Sequence, residues 1–180
     1  MPSFLNAKFH VSLLAVGLPL VLIYLLTDVG SIAGGWMASR RIKRGMDVFP
    51  ARKLILLTCA LCTTPVFLAP QSDSIWVAVV LIGIAMAAHQ GFSANLFTLV
   101  SDTMPRSAVA SAVGLGGAIS SIAGAFSAAV IGRVLDATGG NYTVVFFVCA
   151  GVYMVATLLI HLILPRHRAE IVSAPVGTLA

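Results

Sequence analysis

Five long runs of apolar residues, separated by short polar segments, make up most of the chain. They cover, approximately, residues 11–38, 54–70, 75–100, 107–133 and 143–164. A helix needs about 20 apolar residues to cross about 30 Å of hydrocarbon. Most of the runs reach that length, and the second is shorter and contains Pro65. The pattern therefore predicts five membrane-spanning helices.

The segments between these runs are too short to hold a soluble domain. They are residues 39–53, 70–74, 101–106 and 133–143, and a tail follows at 165–180. Inside the runs, Pro19 and Pro65 are expected to bend their helices, because proline lacks the backbone donor and collides with the preceding turn.

Composition agrees with a membrane location. Hydrophobic residues make up 59% of the chain and charged residues 9%, and the mean hydropathy is +1.02. So few charges cannot cover a water-exposed surface, and we predict an all-α integral membrane protein. The net charge of +5 does not indicate a nucleic-acid partner, because the cations fall in clusters between apolar runs.

The cations also predict the orientation of the helices. The predicted loop 39–53 is the most basic segment, Arg106 follows two connections later, and the tail carries further arginines, whereas the intervening loops hold only Arg133. Cytoplasmic segments of membrane proteins are enriched in Lys and Arg. The loop 39–53 and the C-terminal tail are therefore predicted to be cytoplasmic, with the N-terminus outside. A cleaved signal peptide fits poorly, because the first run is too long and its cations follow it.

Several segments carry a resemblance to a known family. The stretch GGWMASRRIKRG (34–45) resembles the loop motif of the major facilitator superfamily, with the glycine pair Gly34 and Gly35 followed by Arg40, Arg41 and Arg44. Ser39 stands where that motif usually has aspartate. Residues 51–53, 89–117 and 132–142 resemble helices ten to twelve of the anion:cation symporter branch, with hexuronate transporters as the nearest likeness.

The resemblance implies an incomplete structure. Family members have twelve helices in two six-helix bundles with both ends cytoplasmic, so the five runs correspond to helices eight to twelve. We expect an incomplete C-terminal half of a twelve-helix fold, whose first bundle is missing. This also explains the odd number of spans.

The resemblance implies a function as well. The intact protein would be a symporter of a bacterial inner membrane, carrying sugar acids such as hexuronates, or related organic anions, together with protons. The alternative is a truncated, non-transporting membrane fragment that only associates with another membrane polypeptide.

Asp28 is an acidic residue inside the first run, near mid-bilayer. A carboxylate at that depth costs at least about 2.5–3.5 kcal/mol on insertion scales, so it needs a cavity, a partner or a proton. Tyr24 and Ser31 share its helix face. One interpretation is that this polar face lines the transport path and that Asp28 takes part in ion coupling. The other is that hydroxyl groups hold Asp28 in a structural role.

The stretch HQGFSAN (89–95) is the second polar group inside a run. His89, Gln90 and Ser93 spread across one face of a helix, and we predict that they bind substrate, with Phe92 as a wall beside a sugar ring. The structural alternative is a neutral His89 that is hydrogen-bonded to a neighbouring helix. Asn95 points away from this face and is expected to make an interhelical hydrogen bond.

Small residues recur at every fourth position of the fourth run, including Gly116, Ser120, Gly124 and Gly132, and predict close helix packing. Gly30 and Gly34 have the same spacing.

Asp102 is predicted either to pair with Arg40 or Arg41 as an inner gate or to lie in a solvated turn.

Catalytic and cofactor chemistry have no support in the sequence. There is no nucleophile with a neighbouring base, no phosphate-binding glycine loop and no metal-ligand spacing. Cys59 and Cys62 form a C-x-x-C inside an apolar run, where packing is the expected role. We therefore predict neither an enzyme nor a cofactor or metal site.

Overall fold

A computed structural model of the chain describes residues 2–11 and 15–163. The described part contains five helices that are long and apolar enough to span a membrane, in agreement with the sequence. The helices are α1 (Pro2–Phe9), α2 (Gly17–Lys43), α3 (Val48–Thr63), a 3₁₀ helix (Thr64–Gln71), α4 (Ile75–Thr103), α5 (Arg106–Ala137) and α6 (Thr143–Ile163). The predicted tail 165–180 lies outside the described residues.

The basic segment 39–53 is mostly helical, which differs from the loop that its polarity predicts. α2 continues to Lys43 and α3 begins at Val48, so the connection contains only residues 44–47. Alanine, arginine and lysine are good helix formers, and cations near a helix C-terminus are stabilised by its dipole. The helix ends where Gly45 adopts a φ of +90°, a conformation that favours glycine.

The two prolines behave differently from each other. Pro19 lies in the first turn of α2. A residue there has no intrahelical N–H bond to lose, so the expected bend has no cause at this position. Pro65 matches its prediction better, because α-helical structure ends at Thr63 and the chain continues as a 3₁₀ helix.

The N-terminal segment forms the short helix α1, which was not predicted. Phe4 and Leu5 are fully buried, and the Phe4 ring packs against Tyr142 and Phe146 with ring centroids 5.3 Å and 4.8 Å apart. The Lys8 ammonium donates a hydrogen bond to the Pro70 carbonyl. These contacts attach α1 to the end of the bundle where the 3₁₀ helix ends and α6 begins.

α4 is the central helix of the described part. It packs against α2, α3 and the 3₁₀ helix, while α6 covers α3 and the 3₁₀ helix. α5 is peripheral, since its main contacts are with α4 and none of its residues is buried. One side of the bundle is therefore left without a packing partner among residues 2–11 and 15–163.

Candidate functional site

Glycine contacts fix the register of α2 against α4. A Cβ added to Gly30 would collide with the backbone of Ala87, and one added to Gly34 would lie 2.7 Å from the Gly91 Cα. Both pairs are offset by the same number of residues, so the two helices run parallel. Glycine permits this closeness because it has no side chain.

The two tryptophans indicate where this pair of helices meets the two membrane–water interfaces. In the register set by the glycine contacts, Trp36 of α2 lies at the same height as Ser93 of α4. Trp76 is also on α4, 17 residues before Ser93. At about 1.5 Å per residue, the two tryptophan levels are about 26 Å apart along the helices. Both rings are half exposed, as expected for residues at the two membrane–water interfaces. In the same register Asp28 is level with Ala85, midway between the tryptophans.

α2 presents three distinct faces. The packed face, against α4, contains Ile23, Thr27, Gly34 and Ala38. About a quarter turn away lies the polar face of Tyr24, Asp28 and Ser31, which we call the Asp28 face. The third face is apolar and exposed, and it consists of Leu25, Val29, Ile32 and Trp36.

Asp28 is exposed on its face of the described bundle. Within residues 2–11 and 15–163 its carboxylate makes no hydrogen bond or ion pair, and neither Tyr24 nor Ser31 reaches it. The hydroxyl contacts that a structural role requires are therefore absent from this part of the chain. A charge at this depth still needs a partner, a cavity or a proton.

His89 faces α6 rather than open space. The Tyr153 hydroxyl lies 2.5 Å from the His89 Nδ1, and the two rings meet edge to face with centroids 5.8 Å apart. This contact is the neighbouring-helix hydrogen bond of the structural alternative. His89 remains half buried, so part of its ring is still accessible.

Phe92 differs from its neighbours in the predicted substrate-binding set. Only 5% of its surface is exposed, and its ring packs edge-on against Tyr153 at 5.2 Å between centroids. It belongs to the apolar cluster that contains Ile55, Leu56 and Leu99. A ring enclosed in this way cannot form a wall of an open cavity, so its position corresponds to helix packing.

Gln90 and Ser93 are half buried and lie on another side of α4. Because α2 and α4 are parallel and α3 contacts α4 near Gly91 and Asn95, helical geometry puts Gln90 on the side opposite α3. The Asp28 face of α2 lies on that same side. The structure thus brings Asp28 and Gln90 to one open side of the bundle, with Ser93 at its edge and His89 turned toward α6.

Asp102 pairs with Arg52, which corrects the predicted partners Arg40 and Arg41. The Arg52 Nε lies 3.1 Å from the Asp102 Oδ2, and the side chains are 10% and 29% exposed. The Arg52 Nη1 also donates to the Asn95 Oδ1 at 3.3 Å, while the Asn95 amide donates to the Gly91 carbonyl. The interhelical hydrogen bond predicted for Asn95 is therefore confirmed.

The structural role of Arg52 was missed because, in the sequence, the cations of this segment indicated only the orientation of the helices. A usable signal was the separation of Asn95 and Asp102 by two helical turns, which puts an amide and a carboxylate on one face of α4. A buried cation from the basic segment 39–53 is the natural partner for both the amide and the carboxylate. No comparable signal linked Tyr153 to His89, because the contact depends on how α4 and α6 pack.

Replacement of Arg52 by glutamine is expected to destabilise the bundle. The change leaves Asp102 without its partner in a half-buried position, at a cost of about 1–2 kcal/mol after allowance for its partial exposure. Unfolding of the purified chain in mixed detergent measures the difference. Arg40→Gln is the control, since Arg40 has no carboxylate partner among the described residues. Equal stability of the two variants would contradict the assigned role.

The small-residue stripe of α5 has no partner within the described chain. An added Cβ at Gly116, Gly124 or Gly132 would meet nothing within 4 Å, and Ser120 is exposed. Its predicted packing role therefore stays a prediction. Gly35 of the loop motif is likewise open, whereas Gly34 contacts α4.

Comparison with known proteins adds information about the whole chain. A family model described as Major Facilitator Superfamily matches residues 1–177. A probable galactarate/D-glucarate transporter of Bacillus subtilis (strain 168) is 28% identical over 91% of this chain and 35% of its own length. A hexuronate transporter of Escherichia coli (strain K12) is 30% identical over 81% of this chain and 33% of its own length. A chloroplastic ascorbate transporter of Arabidopsis thaliana is 29% identical over 88% of this chain and 29% of its own length. The chain spans about a third of the length of these relatives.

Proposed function

Because the chain belongs to the Major Facilitator Superfamily, we propose that it supplies the C-terminal helices of a proton-coupled transporter for sugar acids or related organic anions. Its relatives are named as transporters of hexuronate and of galactarate and D-glucarate. This supports transport rather than enzyme catalysis. The chain is a multi-pass membrane protein, and we propose a bacterial inner membrane as its location.

The observation that carries the proposal is the position of Asp28. It lies midway between the two tryptophan levels, on the side of the bundle that the described residues leave open, and Gln90 is on the same side. An intramembrane carboxylate is costly and normally faces a cavity or a protein partner. We propose that this side lines the transport path, with Asp28 and Tyr24 at the ion-coupling step and Gln90 and Ser93 contacting the hydroxyl groups of the substrate.

We propose that much of the anion site comes from outside these helices. Organic acids need cationic or strong donor groups, yet the cations of the described residues lie near the ends of the spans rather than at the level of Asp28. We propose that the remaining bundle supplies them. We also propose that the ends carrying Arg40–Arg44 and Arg52 are cytoplasmic, that the N-terminus is outside, and that the Arg52–Asp102 pair stabilises the inner end of the gate.

A chimera tests the function directly. This chain would replace the matched third of the Bacillus subtilis galactarate/D-glucarate transporter. Uptake of labelled glucarate, galactarate and glucuronate would be measured in vesicles with an imposed pH gradient. We expect uptake of at least one acid that collapses when the gradient is dissipated. A chimera that reaches the membrane in normal amount but transports none of them would contradict the proposal.

Expression of the chain alone tests the alternative, a membrane fragment that does not transport. As an isolated piece it is expected to insert into the membrane without transporting any acid. Co-purification with a separately expressed N-terminal part of the same relative, together with restored uptake, would support the transporter over the non-transporting fragment.

We also propose that the part of His89 that stays accessible contacts the substrate, so His89→Ala is expected to lower uptake by the chimera about tenfold, the loss that corresponds to one hydrogen bond. Tyr153→Phe is the matched variant, because it removes only the hydroxyl that contacts the His89 Nδ1. It should lower uptake two- to threefold, about the effect of a weakened orienting contact. Membrane abundance is measured for both variants. Unchanged uptake in His89→Ala, or a loss explained by abundance, would assign His89 to packing.

A further inference from the structure

The cationic side chains at the basic end of α2 border a shallow, open cleft. Two adjoining depressions of about 430 Å³ and 370 Å³ open there. Their walls are formed by Trp36, Met37, Ser39, Arg40, Arg41, Lys43, Arg44 and Met46.

These cations have no carboxylate partner in the part of the chain that the structure describes. The ion pair found there joins Arg52 to Asp102, and the predicted pairing of Asp102 with Arg40 or Arg41 is not present. The Arg40 guanidinium instead lies over the Trp36 ring, 4.9 Å from its centroid. Stacking of this kind orients a guanidinium while its N–H donors stay available for an anion.

The apolar face of α2 leads directly into this cleft. Leu25, Val29 and Ile32 are 57%, 61% and 74% exposed, and Trp36 follows them on the same face at 57%. Arg40 comes one turn later, so the face changes from aliphatic to aromatic to cationic along one line. A soluble anion would need only the cationic end of this line. A molecule with an acyl chain and an anionic headgroup matches its whole length.

We propose that this surface binds an anionic phospholipid. The phosphate lies in the cleft between Arg40 and Arg44, the Trp36 ring lies at the level of the interface, and an acyl chain follows Ile32, Val29 and Leu25. Clusters of cations next to a membrane span attract anionic lipids, and each contributes about fivefold to affinity. The binding is independent of transport and does not require the function proposed above.

Lipid-specific quenching of tryptophan fluorescence tests the site. The full chain has two tryptophans, so Trp76→Phe leaves Trp36 as the reporter at the cleft, and Trp36→Phe leaves Trp76 as a control at the other end. Each protein is placed in phosphatidylcholine vesicles with a small fraction of brominated phosphatidylglycerol or brominated phosphatidylcholine. We expect the phosphatidylglycerol to quench Trp36 preferentially and both lipids to quench Trp76 equally.

Charge variants in the single-Trp36 background test the residues. Arg40→Gln with Arg44→Gln removes two cations from the cleft and should lower the preference for phosphatidylglycerol at least about tenfold. Arg106→Gln with Arg133→Gln removes the same charge elsewhere and should leave the preference unchanged. Arg40→Lys with Arg44→Lys should retain most of it. Helical circular dichroism confirms that each variant is folded.

Three results would overturn the proposal. The first is equal quenching of Trp36 by the two brominated lipids. The second is an equal loss of preference in the Arg40/Arg44 and Arg106/Arg133 double variants, which would indicate a general charge effect. The third is loss of the preference on addition of millimolar inorganic phosphate or glucarate at constant ionic strength, which would identify the cleft as a site for soluble anions.

Discussion

Gly30→Leu is expected to prevent α2 from packing against α4. Even one methyl group at Gly30 would overlap the backbone of Ala87, and backbone cannot move aside as a flexible side chain can. Gly91 of α4 lies against both Gly30 and Gly34 of α2. The two helices would therefore have to separate along this whole contact. We expect a loss of stability of about 3 kcal/mol or more, at the upper end of the range for overpacked cores.

The same helix offers a control for this substitution. Gly35→Leu adds the same side chain to α2 at a position where an added Cβ meets nothing within 4 Å. Both variants change helix propensity and hydrophobicity equally, so a difference between them reports only the contact with α4. The midpoint of unfolding in mixed detergent, followed by tryptophan fluorescence, measures that difference. Similar midpoints for the two variants would refute the close α2–α4 contact.

Asp28→Asn is expected to reduce uptake by the chimera at least about tenfold while membrane abundance stays near normal. An amide has nearly the same shape as a carboxylate but cannot carry the charge or exchange the proton that the proposed coupling step requires. Because Asp28 makes no hydrogen bond or ion pair among the described residues, its replacement should cost little stability. We therefore expect Asp28→Asn to lower uptake without lowering the stability of the fold.

Two further variants make the Asp28 prediction specific. Asp28→Glu keeps a titratable group and should recover part of the uptake. Asp136→Asn removes a carboxylate from the last turn of α5, away from the level of Asp28, and should leave uptake unchanged. If Asp28→Asn transports normally with the pH gradient imposed, the carboxylate has no part in coupling. Another residue would then have to supply the proposed coupling group.

The spans were predictable because each is set by local hydropathy over about 20 residues. Their ends were less predictable. The run of cations after Ser39 looked like a loop because it is polar, yet arginine and lysine are good helix formers and α2 continues through them to Lys43. The helix α1 was missed for a different reason, since it is short and its Phe4 ring packs against the distant residues Tyr142 and Phe146.

The polar residues were easy to find but hard to pair. The charge of Asp28 and the polarity of the 89–95 stretch are visible in the sequence, and the interhelical bond of Asn95 followed from its direction on α4. The partners of Asp102 and His89 depend on which helix packs beside α4, and periodicity within one helix does not determine that. The same holds for Phe92, whose aromatic ring has the same helical position whether it faces a cavity or a neighbouring helix.

The spacing of Trp36 and Trp76 has a consequence for the choice of bilayer. Anchors about 26 Å apart along the helices fit a bilayer slightly thinner than the usual hydrocarbon thickness of about 30 Å. In thicker lipid, helices α2 and α4 cannot meet the mismatch by tilting, because tilting shortens their reach across the membrane. The bilayer must thin around them, at a cost of fractions of a kcal/mol for each ångström. Acyl-chain length is therefore a variable that sets the stability of the tightly packed α2–α4 pair.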